Sequence, residues 1–139
     1  MAEFVLKAMV KEAGVADDYE IASAAVSPEE WGNNIYPPAQ RQLRQHGIPF
    51  SPRSARVITK EDAAYYDYII AMDQSNLRGI QRICGSAAME KTSLLLDYTN
   101  HPQDVDDPWY SGDFTQTWDD IASGCRGILK TLEQEKTRR

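Results

Sequence analysis

The segment YDYIIAMD at residues 66–73 decides the class of fold that this sequence predicts. Its apolar and β-branched residues form a run of the length expected for a strand buried in a parallel sheet. A second run of this kind, TSLLLDY, occupies residues 92–98. Between the two runs, Ser75 stands where it would cap a helix with the sequence NLRGIQRIC (76–84). A strand, a helix and a strand in this order predict an α/β fold with a parallel sheet.

The alternation of helix and strand continues on both sides of this unit. The other predicted elements are a helix at 2–13, a strand at 19–27, a helix at 37–45, a short extended piece at 55–59, and a helix that Thr59 and Asp62 cap. The clearest element follows Phe114, where apolar residues mark one face of a long helix and Asp113 with Gln116 has the spacing of a capping box.

The length and the charge of the chain restrict the classes of protein to which it can belong. The 139 residues are enough for one domain and too few for two. A net charge of −6 disfavours nonspecific binding to nucleic acid, although it does not exclude a local basic patch. No apolar run is long enough to span a membrane, and no secretory signal opens the chain. Cys84 and Cys125 stand far apart in unrelated contexts, which favours a reducing, cytoplasmic setting.

The loop at 99–113 contains the sequence DDPWY and follows a predicted strand, as Asp73 does. Ligands of parallel α/β sheets bind beyond the carboxyl ends of the strands. Asp107 precedes a proline, a pattern typical of a turn, but exposed aromatic residues beside it are typical of ligand contact. Trp31 is a second aromatic residue on a turn-rich loop, where it either contacts a ligand or packs as a lid over the core. His46 and His101 are isolated and lack metal-ligand spacing.

A resemblance to one family rests on four quoted pieces. They are MAEFVLKAMVKEAG (1–14), IASAAVSPEEWGN (21–33), HGIPFSPRSARVITKEDAAYYDYIIAMDQSNL (46–77) and DDPWYSGDF (106–114). Their order and spacing across nearly the whole chain resemble those of low-molecular-weight protein-tyrosine phosphatases. The resemblance implies a doubly wound parallel sheet of four strands flanked by helices. It also implies hydrolysis of phosphotyrosine proteins or small aryl phosphates through a cysteinyl-phosphate intermediate, with no metal and no cofactor.

The resemblance also implies roles for individual residues. Asp107 corresponds to the general acid, which protonates the leaving tyrosine oxygen and later activates water. The residues that correspond to the substrate-binding wall and its facing loop are Glu30, Trp31, Asn33, Trp109 and Tyr110. Residues that correspond to supports of the phosphate-binding loop are Ser23, Asp73 and Arg53, the last of which stands where many members have a histidine.

The family's nucleophile lies in a loop that neither cysteine of this sequence matches. In the family, a first strand leads into a C-x5-R loop, whose cysteine attacks phosphorus while its backbone amides and the arginine hold the phosphate oxygens. A helix that starts with residues like Met1 to Glu3 follows that loop. In this sequence, Glu90 stands six residues after Cys84 and Thr131 stands six residues after Cys125, so neither cysteine begins such a loop.

We therefore expect residues 1–139 to form a single phosphatase-like domain that is N-terminally incomplete, without the first strand and the C-x5-R loop. The chain is then either truncated or read from an internal methionine. Two neighbouring strands would lose the strand between them, which exposes backbone and apolar groups. Poor stability, rearrangement, strand exchange or self-association through the unfilled sheet position would follow.

Three functions remain from the sequence. The first is a protein-tyrosine phosphatase by descent, inactive without the nucleophile loop. The second is a noncatalytic interaction or regulatory protein on the same scaffold, which would bind through its aromatic rim without turnover. The third, an arsenate reductase of similar fold, needs the same cysteine loop, and DPWY at 107–110 favours the phosphatase.

Overall fold

The computed structural model describes residues 1–28, 32, 34, 36–105 and 114–137. Its helices are α1 (Ala2–Glu12), α2 (Pro37–Gln45), α3 (Lys60–Tyr65), α4 (Gln74–Cys84) and α5 (Phe114–Thr137), and its strands are β1 (Ile69–Ala71) and β2 (Thr92–Leu94). Among these residues, short 3₁₀ helices lie at Ala16–Asp18, Ser86–Lys91 and Leu95–Tyr98. Within the described ranges, no helix is both long and apolar enough to cross a membrane.

The two strands form a parallel pair, with Ile70 opposite Ser93 at its centre. This confirms the predicted α/β fold with a parallel sheet flanked by helices. Both predicted strands were too long, because strand structure covers only 69–71 and 92–94. After Leu94 the chain turns into a 3₁₀ helix, and the side chain of Asp97 accepts a hydrogen bond from the Leu94 backbone N–H at 2.9 Å.

A second parallel contact lies apart from this pair. Ala25 forms an isolated parallel bridge with Val57, closed by hydrogen bonds from Ala25 N to Arg56 O (2.7 Å) and from Ile58 N to Ala25 O (2.8 Å). The predicted strand at 19–27 is therefore wrong as a continuous element. Among the described residues, no backbone hydrogen bond joins 20–24 to another strand, and small side chains there give little packing surface to hold one.

The start of α4 corrects another prediction. Asp73, not Ser75, caps the helix, because its Oδ1 accepts a hydrogen bond from the Asn76 backbone N–H at 2.8 Å. The Asn76 side chain in turn accepts from the Met72 backbone N–H at 3.1 Å. The helix thus begins directly after the strand, two residues earlier than predicted. The capping box of Thr59 and Asp62 at α3 is confirmed.

Apolar side chains pack on both faces of the sheet. Ile70 contacts a cluster between the sheet, α1 and α5 whose fully buried members include Val5, Leu95 and Cys125. Ile69 and Ala71 point the other way, into a cluster that α3 and α4 complete. Cys125, on the apolar face of α5, belongs to the first of these clusters. Helices on both faces of a parallel sheet give the layer order expected for a doubly wound fold.

Gly127 lets α5 cross the backbone at the end of the 3₁₀ helix Leu95–Tyr98, which directly follows β2. A Cβ atom at Gly127 would lie 2.0 Å from the carbonyl oxygen of Tyr98. We expect Gly127→Ala to lower the free energy of unfolding by about 2–3 kcal/mol. In an open helix the same substitution stabilises by about 1 kcal/mol, so the sign is diagnostic. Urea unfolding of this variant beside Lys130→Ala, an exposed position on the same helix, would measure it; an unchanged midpoint would contradict the close contact.

Candidate functional site

The first turn of α1 holds a buried carboxylate, that of Glu3, of which 7% is exposed. Its Oε2 accepts hydrogen bonds from Lys7 Nζ at 2.6 Å and from Arg53 Nη2 at 2.8 Å. Its Oε1 accepts a hydrogen bond from the Ser23 hydroxyl at 2.7 Å. One carboxylate therefore joins the start of α1 to two loops that lie 20 and 50 residues further along the chain.

The surroundings of Glu3 keep it ionised. Burial by itself raises the pKa of the carboxyl group. The hydrogen bonds from Arg53, Lys7 and Ser23 outweigh that effect and lower the pKa to about 2. Glu3 is thus a fixed negative charge at neutral pH, and it holds Ser23 and Arg53 beside the start of α1.

Arg53 is also anchored from its own loop. Its backbone N–H donates to Asn34 Oδ1 at 2.8 Å, and its Nη1 donates to the Ser51 hydroxyl at 2.7 Å. The guanidinium lies over the Phe4 ring, 4.8 Å from the ring centroid. These contacts hold both the backbone and the guanidinium of Arg53, which therefore ties the loop of Asn34 to α1.

Asp73 lies at the carboxyl end of β1, as the sequence predicted, and its carboxylate caps α4. Val105, two residues before the predicted acid Asp107, lies at the same end of β1, because its backbone N–H donates a hydrogen bond to the Met72 carbonyl at 2.8 Å. Val105 is itself buried. The structure therefore places Val105 at the carboxyl end of β1, where ligands of such sheets bind.

Several predicted residues fall outside the part of the chain that the structure describes. They are Glu30, Trp31, Asn33, Asp107, Trp109, Tyr110 and Asp113 of the expected capping box. Of the predicted site residues, the structure thus places Ser23, Arg53 and Asp73. It joins the first two through Glu3 and puts the third at a helix cap.

Neither cysteine has the surroundings of an activated nucleophile. Cys125 is 1% exposed, and burial raises the pKa of its thiol to about 12. Burial also raises the pKa of the Cys84 thiol, and the nearby Asp62 carboxylate adds to that effect. The Cys84 Sγ donates a hydrogen bond to the Thr59 carbonyl at 3.6 Å. Reactive cysteines have lowered pKa values, so both thiols fit structural positions.

These surroundings predict slow alkylation. We expect iodoacetamide at about pH 8 to leave Cys125 unmodified in the folded chain and to modify Cys84 more slowly than it modifies a free thiol. Intact mass and peptide mapping against a urea-unfolded control would measure both reactions. Rapid labelling of Cys125 under native conditions would contradict the burial described above.

Sequence reasoning missed two side chains. A glutamate in the first turn of a helix is usually explained by the helix dipole, so nothing near Glu3 in the sequence signals its distant partners. His46 was interpreted as isolated, yet its ring stacks on Trp118 of α5 with centroids 3.7 Å apart. This stack joins the end of α2 to α5. Among the described residues, no group of three or more His, Cys, Asp or Glu is arranged to hold a metal ion.

Comparison with known proteins gives consistent matches. Residues 1–138 match the family described as low molecular weight phosphotyrosine protein phosphatase. The chain is 31% identical to the low molecular weight protein-tyrosine-phosphatase YfkJ of Bacillus subtilis over 138 residues, which are 98% of this chain and 88% of that protein. It is 35% identical to the human low molecular weight phosphotyrosine protein phosphatase over 135 residues, or 94% of this chain and 85% of the relative. The crystal structure of YfkJ superposes with a TM-score of 0.91 over 97% of this chain and 86% of that one.

Proposed function

Because the chain belongs to the low-molecular-weight phosphotyrosine protein phosphatase family, we propose that it carries the acid and the loop supports of a phosphotyrosine phosphatase. The observation that carries this proposal is the family match over residues 1–138. The substrates are phosphotyrosine proteins or small aryl phosphates. The catalytic cysteine works as a thiolate, and a reducing cytoplasm keeps such a thiol available.

The proposed reaction has two steps. In the first, a cysteine thiolate attacks phosphorus, a P–S bond forms and the P–O bond to the tyrosine breaks. Asp107 gives its proton to the tyrosine oxygen as that bond breaks. In the second, Asp107 takes a proton from water, the water oxygen attacks phosphorus and the P–S bond breaks. Inorganic phosphate leaves, and both Asp107 and the thiolate return to their first state.

The substrate ring lies between two loops in this proposal. Trp109 and Tyr110 form an apolar wall beside Asp107, and an aromatic ring stacks well on such a wall. Trp31 and Asn33 face it from the other loop, and Glu30 influences which substrates are accepted. Support comes from Val105, the last described residue before Asp107, whose backbone N–H donates a hydrogen bond to the Met72 carbonyl next to the end of β1.

The nucleophile is proposed to come from a segment joined in front of Met1. No cysteine of the 139 residues is followed six residues later by arginine. Glu3 supports this position, because it holds Ser23 and Arg53 beside the first turn of α1. In the proposal Ser23 and Arg53 brace the phosphate-binding loop from there, and Asp73 anchors the end of β1. The 139 residues alone are then inactive.

The strand contacts also support a further strand in the segment proposed in front of Met1. The Ala25–Val57 bridge and the β1–β2 pair are separate parallel contacts, and no backbone hydrogen bond of the described residues joins them. We propose that a strand lies between them in the active protein. Without it, the edges favour self-association. Analytical ultracentrifugation would then show oligomers that an N-terminal strand removes.

A fusion tests the proposal. The extended protein is this chain with a β-strand and a C-x5-R loop joined in front of Met1, and its matched control carries serine in place of the loop cysteine. We expect the extended protein to hydrolyse p-nitrophenyl phosphate without added metal and the serine control to be inactive. A folded extended protein, checked by circular dichroism, that gives no turnover would contradict the proposal.

The noncatalytic alternative is favoured by one observation, the lack of a C-x5-R sequence in these residues. It predicts that the 139-residue chain binds a phosphotyrosine peptide through its aromatic rim without turnover. Fluorescence anisotropy of that chain with a labelled phosphotyrosine peptide tests this alternative, and the fusion assay tests the phosphatase.

A further inference from the structure

Residues 31–60 differ in charge from the rest of this acidic chain. They contain neither Asp nor Glu, although the chain holds 21 acidic residues and a net charge of −6. The same range contains Arg41, Arg44, Arg53, Arg56 and Lys60. A basic segment of this kind within an acidic protein creates a local field of opposite sign.

Two of these arginines are neutralised within the fold. Arg53 pairs with Glu3 at 2.8 Å, and Arg56 pairs with Asp62 at 2.7 Å. Arg41 and Arg44 are exposed, and no carboxylate of the described residues lies within ion-pair distance of either. They stand three residues apart on α2, which puts them on one face of the helix. We call this pair the α2 basic face.

Arg44 of the α2 basic face is linked by ring contacts to the supports of the site. The Arg44 guanidinium lies 5.3 Å from the centroid of the Phe50 ring, and Phe50 contacts Phe4 edge to face at 6.2 Å. Phe4 in turn lies under Arg53, which holds the loop of Asn34 and the start of α1. A chain of packed rings and guanidinium groups thus runs from the site to α2.

We propose that the α2 basic face binds acidic residues that flank phosphotyrosine in a protein substrate. The inference rests on the proposed function, because it names the substrate class of the same site. Two exposed arginines without an ion-pair partner among the described residues suit carboxylates, which guanidinium groups bind with two parallel hydrogen bonds. Exposed charges at the rim of a binding site change the association rate and the specificity more than the total affinity.

An acidic peptide fits better than a polyanion. Nucleic acid and anionic membranes are held by many basic groups, and the net charge of −6 repels both. The α2 basic face contributes two charges. A short acidic segment matches that number, and it is already held near the site by its phosphotyrosine.

Fluorescence anisotropy of the 139-residue chain tests the proposal. The probes are a labelled tyrosine peptide flanked by glutamates, the same peptide with phosphotyrosine, and both again with glutamine flanks. We expect the glutamate flanks to tighten binding, and R41Q/R44Q to weaken the glutamate peptides about five-fold at low ionic strength. The glutamine peptides should be unaffected. Arg78→Gln, which removes an exposed arginine from α4, is the matched control and should change nothing.

The unphosphorylated peptide separates this inference from the proposed function. Its binding depends on α2 and not on any phosphate-binding loop, whereas p-nitrophenyl phosphate has no flanking residues and tests the chemistry alone. Equal binding of glutamate and glutamine peptides, or no binding of the glutamate peptides, would overturn the inference. So would tighter binding to single-stranded RNA or to phosphatidylserine vesicles that depends on the same two arginines.

Discussion

Replacing Glu3 by glutamine is expected to lower the free energy of unfolding by about 3 kcal/mol. Removing one partner of a buried ion pair usually lowers the free energy of unfolding by about 3–5 kcal/mol. The cost here falls at the low end, because Arg53 and Lys7 keep 38% and 39% of their side chains exposed and regain water. The Ser23 hydroxyl would still find an amide oxygen as acceptor.

The matched control is Glu12→Gln, which removes the same charge from an exposed position of the same helix. We expect a change within about 0.5 kcal/mol there. Urea unfolding at neutral pH would measure both variants. Equal midpoints for the two would show that the Glu3 contacts contribute nothing to stability.

The same carboxylate predicts how stability depends on pH. The pKa of Glu3 is about 2 in the folded chain, below its ordinary value of 4.5. A lowered pKa means that the stabilisation is complete above pH 4.5 and is lost as the pH falls toward 2. In Glu3→Gln this part of the acid-unfolding curve should be flatter, and the two proteins should converge near pH 2.

Replacing Asp107 by alanine in the extended protein is expected to lower kcat by about 10²–10⁴-fold, the range of general acid catalysis. The loss should depend on the leaving group. Phenolate leaves poorly and needs the proton, whereas p-nitrophenolate leaves well without it. We therefore expect a larger loss of kcat/KM, which reports the step that breaks the P–O bond, with phenyl phosphate than with p-nitrophenyl phosphate.

Asp104→Ala is the control for that variant, because it removes an exposed carboxylate three residues earlier. Its kcat should equal that of the parent for both substrates. The basic limb of the pH–rate profile, which reports the protonated acid, should remain in Asp104→Ala and should disappear in Asp107→Ala. Equal losses of kcat/KM with the two leaving groups would argue that Asp107 supports the fold and does not donate the proton.

Periodic signals predicted the fold where packing is local and repetitive. The long apolar face of α5 and the buried runs at β1 and β2 follow directly from side-chain spacing. The 19–27 stretch failed because a strand depends on a partner, and here only Ala25 finds one. Strand propensity reports packing against neighbours more than the residues themselves.

The supports of the site were only partly visible in the sequence. The resemblance indicated Ser23 and Arg53, but nothing in the pattern joined them to each other. Their common partner is Glu3, 20 residues before the first and 50 before the second. A buried charge of this kind is recognised only once tertiary contacts exist, because local patterns cannot separate it from an exposed helix acid.

The most direct test of the proposed function is p-nitrophenyl phosphate hydrolysis by the 139-residue chain, assayed beside its Asp107→Ala variant. The nucleophile is proposed to lie outside these residues, so we expect no turnover from either protein. Turnover that disappears with Asp107→Ala would contradict this proposal, because a nucleophile would then lie within the 139 residues and work with the same acid.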